Sequence, residues 1–182
     1  HTPIVQRFRQ HNPADIALCS IVKAGRLFRS LRQLAGRATR TRPARRIRGK
    51  AAARMIYLLD TNVCIHLLNQ RHTPIVQRFR QHNPADIALC SIVKAELLYG
   101  AQRSQRREAN LQTLRIFFAP LASRAFDDAA AEHYGQIRAD LLARGQPIGP
   151  NDFLIAAIAR AHDATLITHN TAEFSRVPGL RL

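Results

Sequence analysis

Residues 1–24, HTPIVQRFRQHNPADIALCSIVKA, recur unchanged as residues 72–95, and the two copies part at the next position, Gly25 in the first and Glu96 in the second. The repeated stretch reads as a helix followed by an apolar strand, so both copies suit the same place in one sheet and only one can take it. Divergent repeats keep a pattern of buried positions, whereas a verbatim copy of this length marks a recent duplication, an assembly error or sequence joined to the gene product from outside it. The single methionine, Met55, stands directly before the apolar run IYLL and is the expected natural start. Residues 1–54 are therefore expected to lie outside the functional domain.

Charge has to be divided along the same boundary. The chain carries a formal +16, yet residues 1–54 hold 14 Arg and Lys against one Asp, while residues 55–182 hold 14 against 11 acids. Segment 25–54 contains ten Arg, one Lys and no acid. Clustered arginine neutralises phosphates and releases counterions, which suits a nucleic-acid-binding tail. Translation of GC-rich sequence outside the true frame gives the same composition and also accounts for the repeat and the lone Met. Either way the segment cannot bury enough apolar surface to fold by itself and is expected to be disordered or loosely helical.

The remaining 128 residues suit one domain with a single core. Cys64 and Cys90 have neither a disulfide framework nor metal-type spacing, and Cys19 is only the copy of Cys90, so a reducing cytoplasm is the expected compartment. The longest apolar run, FLIAAIA at 153–159, is too short to span a bilayer, and neither His1 nor Met55 opens a secretory signal. No membrane role is expected.

Strand and helix signals alternate from Met55 onward. Residues 56–59 read as a buried strand ending at Asp60, VCIHLLN has helical spacing, and Pro74 opens a second helix. IALCSIV at 87–93 is almost wholly apolar, as expected of an interior strand in a parallel sheet, with helices over 94–102 and 105–118 after it. A short strand is expected near 121–126, then a helix capped by Asp127 and closed at Gly145. The loop QPIGP delivers Asn151 and Asp152 into the helix FLIAAIARAHD, and TLITHN at 165–170 and LRL at 180–182 read as closing strands. This order predicts an α/β sandwich with a mainly parallel sheet and right-handed crossovers.

Ligand sites in such sheets lie beyond the carboxyl ends of the strands. That edge selects Asp60 after the first strand, Glu96 at the start of the helix after the second, and Asp152 at the start of a helix arriving there. Three carboxylates gathered without a basic partner repel one another, and a hard divalent cation, Mg²⁺ or Mn²⁺, is the economical compensation. Such an ion can activate water and stabilise the leaving oxygen of a phosphodiester. Each acid also has a plainer role open to it: Asp60 and Asp152 as helix caps, Glu96 as a favourable first-turn charge.

The stretches LLDTNVCI at 58–65, SIVKAELLYGA at 91–101 and GQIRADLLARGQPIGPNDFLIAAIARAHDATLITHNTAEFSRVPGLRL at 135–182 closely resemble the PIN-domain ribonucleases, specifically the VapC toxins of bacterial toxin–antitoxin pairs. The resemblance covers nearly all of 55–182, in order and without large gaps. It implies a three-layer α/β/α sandwich with a mainly parallel central sheet, in which Asp60, Glu96 and Asp152 hold Mg²⁺ or Mn²⁺ and water attacks an RNA phosphodiester. Where many PIN domains carry a fourth acid, this chain has Asn170, which can ligate but adds no charge. Thr168 and Glu173 are implied helpers, and Thr61 and Asn62 are placed to orient Asp60 or the scissile phosphate, with capping and turn formation as their alternative.

The patterns PIGPND and EFSRVPGL resemble those of the subgroup that cuts initiator tRNA in its anticodon loop, consistent with sequence-specific RNA recognition of unpaired bases. Arg138, Arg144 and Arg176 are candidate phosphate contacts, although a solvated helix face accounts for the first two equally well. The resemblance further implies a VapB-type antitoxin whose C-terminal segment crosses the active-site groove, and a toxin homodimer, for which LLYG and its neighbouring helices supply a face if they are not simply core. Relatives of this type continue with an acidic and aromatic tail where this sequence stops at Leu182, which is expected to weaken the last strand.

Two rival readings remain at this point. Asp60 followed by Thr61 also suits haloacid-dehalogenase-type phosphatases, but those need a second Asp where Asn62 stands. A catalytically inactive PIN-like protein that only binds its antitoxin or RNA is the alternative of a different class. A fold in which the first copy of the repeat took the sheet position would have Gly25 in place of Glu96 and lose a metal ligand.

Overall fold

The structure, a computed structural model, describes residues 55–69 and 74–182, and the expectations placed on residues 1–54 lie outside the described residues. The elements are β1 (Tyr57–Leu59), α1 (Thr61–Asn69), α2 (Pro74–Gln81), a single 3-10 turn (Pro84–Asp86), β2 (Ile87–Cys90), α3 (Ser91–Gln102), α4 (Arg107–Phe118), β3 (Ala122–Arg124), α5 (Asp128–Ala143), α6 (Pro150–Ala161), β4 (Thr165–Ile167) and α7 (Thr171–Phe174). The four strands form one all-parallel sheet in the order β3-β2-β1-β4. Leu58 pairs with Ala88 on one side and Leu166 on the other.

All four residues of β2 are buried, which is why this strand is continuously apolar and does not alternate. Leu58, Leu89, Leu97, Leu114, Phe117, Ile137, Leu141, Ile155 and Phe174 are fully buried and tie strands and helices into one core. On α6, Ala156, Ala157 and Ala159 are buried, and these small side chains let the helix lie close to α5 and the sheet. Asp127 caps α5 by accepting the Ala130 N–H at 3.0 Å, and Gly145, at φ +66°, closes it in the left-handed region.

Three expectations are corrected. The strand expected over 87–93 stops at Cys90, whose thiol accepts the Val93 N–H at 3.5 Å as a helix N-cap, so Ser91, Ile92 and Val93 form the first turn of α3 and Glu96 falls in the second turn, not at the start. β4 ends at Ile167, because Thr168 and Asn170 turn toward the acids at the sheet edge. The closing residues make only one bridge, Arg181 to Thr165, since Pro178 offers no donor and Gly179 turns at φ +72°. Among the described residues no helix is long and apolar enough to cross a membrane, and Cys64 and Cys90 are free, buried thiols.

The sheet order has one consequence for function. β2 and β3 are added on one side of β1 and β4 on the other, so the direction of winding reverses between β1 and β4. At such a border the connections leave the carboxyl edge in opposite directions and open a crevice.

Candidate active site

Asp60 stands in that crevice. Its backbone N–H extends the β1–β4 pairing by donating to the Ile167 carbonyl at 3.0 Å, which fixes the side chain at the strand border, only 4% exposed. Its Oδ1 accepts the Thr61 N–H at 2.6 Å, and its Oδ2 accepts the Thr168 hydroxyl at 2.8 Å. Burial raises the pKa of this carboxyl; the two hydrogen bonds and the nearby His169 pull it back, and Glu96 pushes it further up.

Glu96 reaches the same crevice from α3. Its Oε2 accepts the Thr61 hydroxyl in a short hydrogen bond, and its Oε1 accepts the Asn151 side-chain amide at 2.7 Å. Thr61 thus joins two acids, donating its N–H to Asp60 and its hydroxyl to Glu96. Asn151 ties α6 to α3.

Asp152 lies in the first turn of α6, which Pro150 opens two residues earlier. Its pKa is pushed up to about 7 by burial, by Asp60, and by Glu173, which also hydrogen-bonds to it, with Glu96 adding to the repulsion. A hydrogen bond between two carboxyl groups requires a shared proton, which is the local answer to too much negative charge. The Asn170 amide reaches Asp152 Oδ2 at 3.5 Å, and the Asn170 N–H donates to the Thr168 hydroxyl at 2.9 Å. Glu173 in turn accepts the Gly149 N–H at 3.3 Å. A Cβ on Gly149 would lie 3.0 Å from Asp152 Oδ2, so a side chain there would require the carboxylate to give by a few tenths of an ångström.

The structure therefore brings together Asp60, Glu96, Asp152, Thr61, Thr168, Asn170 and Glu173. Asn62, half-buried in the first turn of α1, is not among the residues whose described hydrogen bonds reach these acids. Arg138 bonds the Tyr134 hydroxyl at 2.6 Å within α5, Arg144, at the C-cap of that helix, bonds the Asp140 carboxylate at 2.6 Å, and Arg176 holds the Pro147 carbonyl at 3.2 Å and so braces the loop before Asp152. Sequence reasoning gave no role to Gly149 or His169 and placed Asn151 only at the start of the helix that carries Asp152. The signal for all three lay in their placement beside an acid or between two site residues, and it becomes readable only once α6 and the turn after β4 are known to meet.

The expectation that no basic group stands near is corrected by His169, whose charge favours ionised Asp60. Nor, among the described residues, do three acid, His or Cys side chains gather closely enough as they stand to ligate one ion. Each carboxylate is turned instead to a neutral donor of the protein, Thr61, Thr168, Asn151 or Asn170. The donor chemistry nonetheless fits a hard divalent cation: all ligands are oxygen or amide, and two carboxyls have pKa values raised by burial and mutual repulsion that positive charge would relieve.

A cluster of acids, Asp60 buried and Glu96, Asp152 and Glu173 half-buried, beyond the carboxyl edge of a parallel sheet at its topological switch defines an α/β domain built around a carboxylate site. The chain belongs to the PIN-domain family, whose model matches residues 57–180. It is 41% identical over 125 residues to the tRNA(fMet)-specific endonuclease VapC of Shigella flexneri, covering 69% of this chain and 94% of that protein. Among solved structures, VapBC2 from Rickettsia felis bound to a DNA fragment from its promoter superimposes with a TM-score of 0.66 at 40% identity, covering 70% of this chain and 97% of that one. DNA-bound VapBC from Salmonella typhimurium gives a TM-score of 0.66 at 38% identity, covering 70% and 96%. The resemblance read from the motifs is thereby borne out, and the mainly parallel sheet with it.

Proposed function

We propose that this chain is the toxin of a type II toxin–antitoxin pair, an endoribonuclease that depends on Mg²⁺ or Mn²⁺ and cuts initiator tRNA. The observation that carries the reading is the convergence of Asp60, Glu96 and Asp152 from three separate elements on one crevice, in a chain 41% identical to a tRNA(fMet)-specific endonuclease. Asp60, Glu96 and Asp152 would hold the ion, with Asn170 as a neutral fourth donor. When bound, a divalent cation offsets the carboxylate charge and supplies the Lewis acidity that phosphodiester hydrolysis needs. The protein's own part is positional: Thr61 and Thr168 fix the carboxylate planes of Glu96 and Asp60 by the hydrogen bonds they donate. Asn62 is retained as a candidate substrate contact.

A VapB-type antitoxin is the expected partner, since solved relatives are VapBC complexes, and a homodimer in the cytoplasm is the expected toxin assembly. Residues 55–182 form the functional domain in this reading, with 1–54 outside it. The test is to incubate total tRNA with the antitoxin-free chain and sequence the new ends. A single break in the anticodon loop of initiator tRNA is the expected result, and breaks scattered over all tRNAs would remove the assigned target.

A further inference from the structure

The bond that joins the helices of Glu96 and Asp152 is made by neither acid. Asn151 stands in the first turn of α6, directly before Asp152, where Pro150 has just opened the helix. Its side-chain amide reaches across to α3, and Nδ2 donates to Glu96 Oε1 at 2.7 Å. That length is typical of a hydrogen bond to a charged acceptor, whereas the Asn170 amide, 3.5 Å from Asp152 Oδ2, holds its carboxylate only weakly.

A glutamate side chain is long and keeps its freedom to turn unless its end is held. Thr61 holds Oε2 of Glu96, and Thr61 is itself fixed to Asp60 through its N–H. The bond from Asn151 to the other oxygen stops the group from swinging away from α6. Because Asp152 is the next residue, the same bond keeps Glu96 beside Asp152 against the repulsion of two carboxylates. The donor is also neutral. A lysine or arginine in its place would hold Glu96 but cancel the charge that a cation needs, while an amide leaves that charge whole and leaves lone pairs open on the carboxylate.

Building on the reading of these acids as a metal-dependent site, we propose that Asn151 is a positioning residue whose amide holds Glu96 beside Asp152, so that the two acids are presented together to one divalent cation. Asn151 acts through Glu96 and touches no reacting atom.

The experiment measures Mn²⁺ binding to the full 182-residue chain, free of antitoxin, from the electron paramagnetic resonance signal of the unbound ion. Asn151→Ala and Asn151→Leu, which lack the donor, should each bind Mn²⁺ about tenfold more weakly than the parent, the usual scale for losing a partner that orients a metal ligand. Asn151→Gln keeps the amide, has room at this exposed position, and should restore most of the affinity. Metal-free melting temperatures should be the same in all four chains. At limiting Mn²⁺ the alanine variant should cleave tRNA with a lower kcat and an unchanged KM. Affinity in Asn151→Ala equal to or tighter than the parent's would overturn the assignment. So would a loss that Asn151→Gln does not restore, since the shape of the residue and not its amide would then matter. A parent chain that binds no Mn²⁺ would remove this role together with the metal-dependent reading, whereas variants graded as expected in a chain that cuts no RNA would sink the nuclease reading alone.

Discussion

At Asp152 burial, like charge and a hydrogen-bonded neighbour act in the same direction, and the pKa rises from 3.8 to about 7. An acid whose folded pKa is raised contributes fully below its unfolded value, and that contribution is lost as pH rises through the folded one. In the metal-free chain Asp152→Asn should therefore be more stable than the parent above pH 7, by about 1 kcal/mol once solvent screening is allowed for, and indistinguishable from it near pH 4. Thermal melts at the two pH values check this. Activity should move oppositely, because a cation needs the ionised carboxylate: the pH at which metal-dependent cleavage sets in should fall as the metal concentration is raised, and cleavage should be absent in Asp152→Asn at every pH. Gly149→Ala places a methyl 3.0 Å from Asp152 Oδ2, so that carboxylate has to shift by a few tenths of an ångström. Turnover should fall at least about tenfold while the melting temperature barely moves, since a misplaced reacting group costs rate far more than stability. An unchanged rate would show that the close approach of this loop has no catalytic meaning.

Elements carry the site by their ends. Replacing Asp127 by Ala removes the cap on the Ala130 N–H and should cost about 1 kcal/mol, measured by denaturant unfolding, without touching cleavage, because α5 supplies none of the acids. The sequence itself made β1, the capped start and glycine close of α5, and the start of α2 readable, since each rests on local chemistry at Asp60, Asp127, Gly145 or Pro74. The end of β2 was not readable. A run of seven apolar and small residues, IALCSIV, suits a buried strand and a buried helix turn alike, and the Cys90 thiol that decides between them is an uncommon cap. The sequence was legible as to which acids stand at one edge of the sheet, because Asp60 follows the first strand and Glu96 and Asp152 lie in the opening turns of helices that start at that edge. It was not legible as to what holds them, because the bonds from Asn151 to Glu96 and from Thr168 to Asp60 span 55 and 108 residues.

For the whole molecule, the residues just beyond each copy of the duplicated segment decide which copy belongs in the sheet. Continuing the first copy past residue 24 would set Gly25 at the place of Glu96 and Arg26 at the place of the fully buried Leu97, so only the second copy completes both the core and the acid cluster. Cys90 should then remain shielded: burial pushes its pKa to about 11 and also raises that of Cys64 well above the usual thiol range. In a Cys19→Ser chain a thiol reagent at pH 8 should find no fast-reacting cysteine, and one rapidly labelled Cys90 would mean that the second copy had left the sheet. The central claim, that Asp60, Glu96 and Asp152 form a metal-dependent RNA-cutting site, is tested most directly by titrating Mg²⁺ or Mn²⁺ into the antitoxin-free full chain with tRNA as substrate. Asp60→Asn and Asp152→Asn serve as the paired controls. Saturable, metal-dependent cutting in the parent and none in either variant is the predicted result; cutting that persists in both variants, or a folded parent that never cuts, would contradict it.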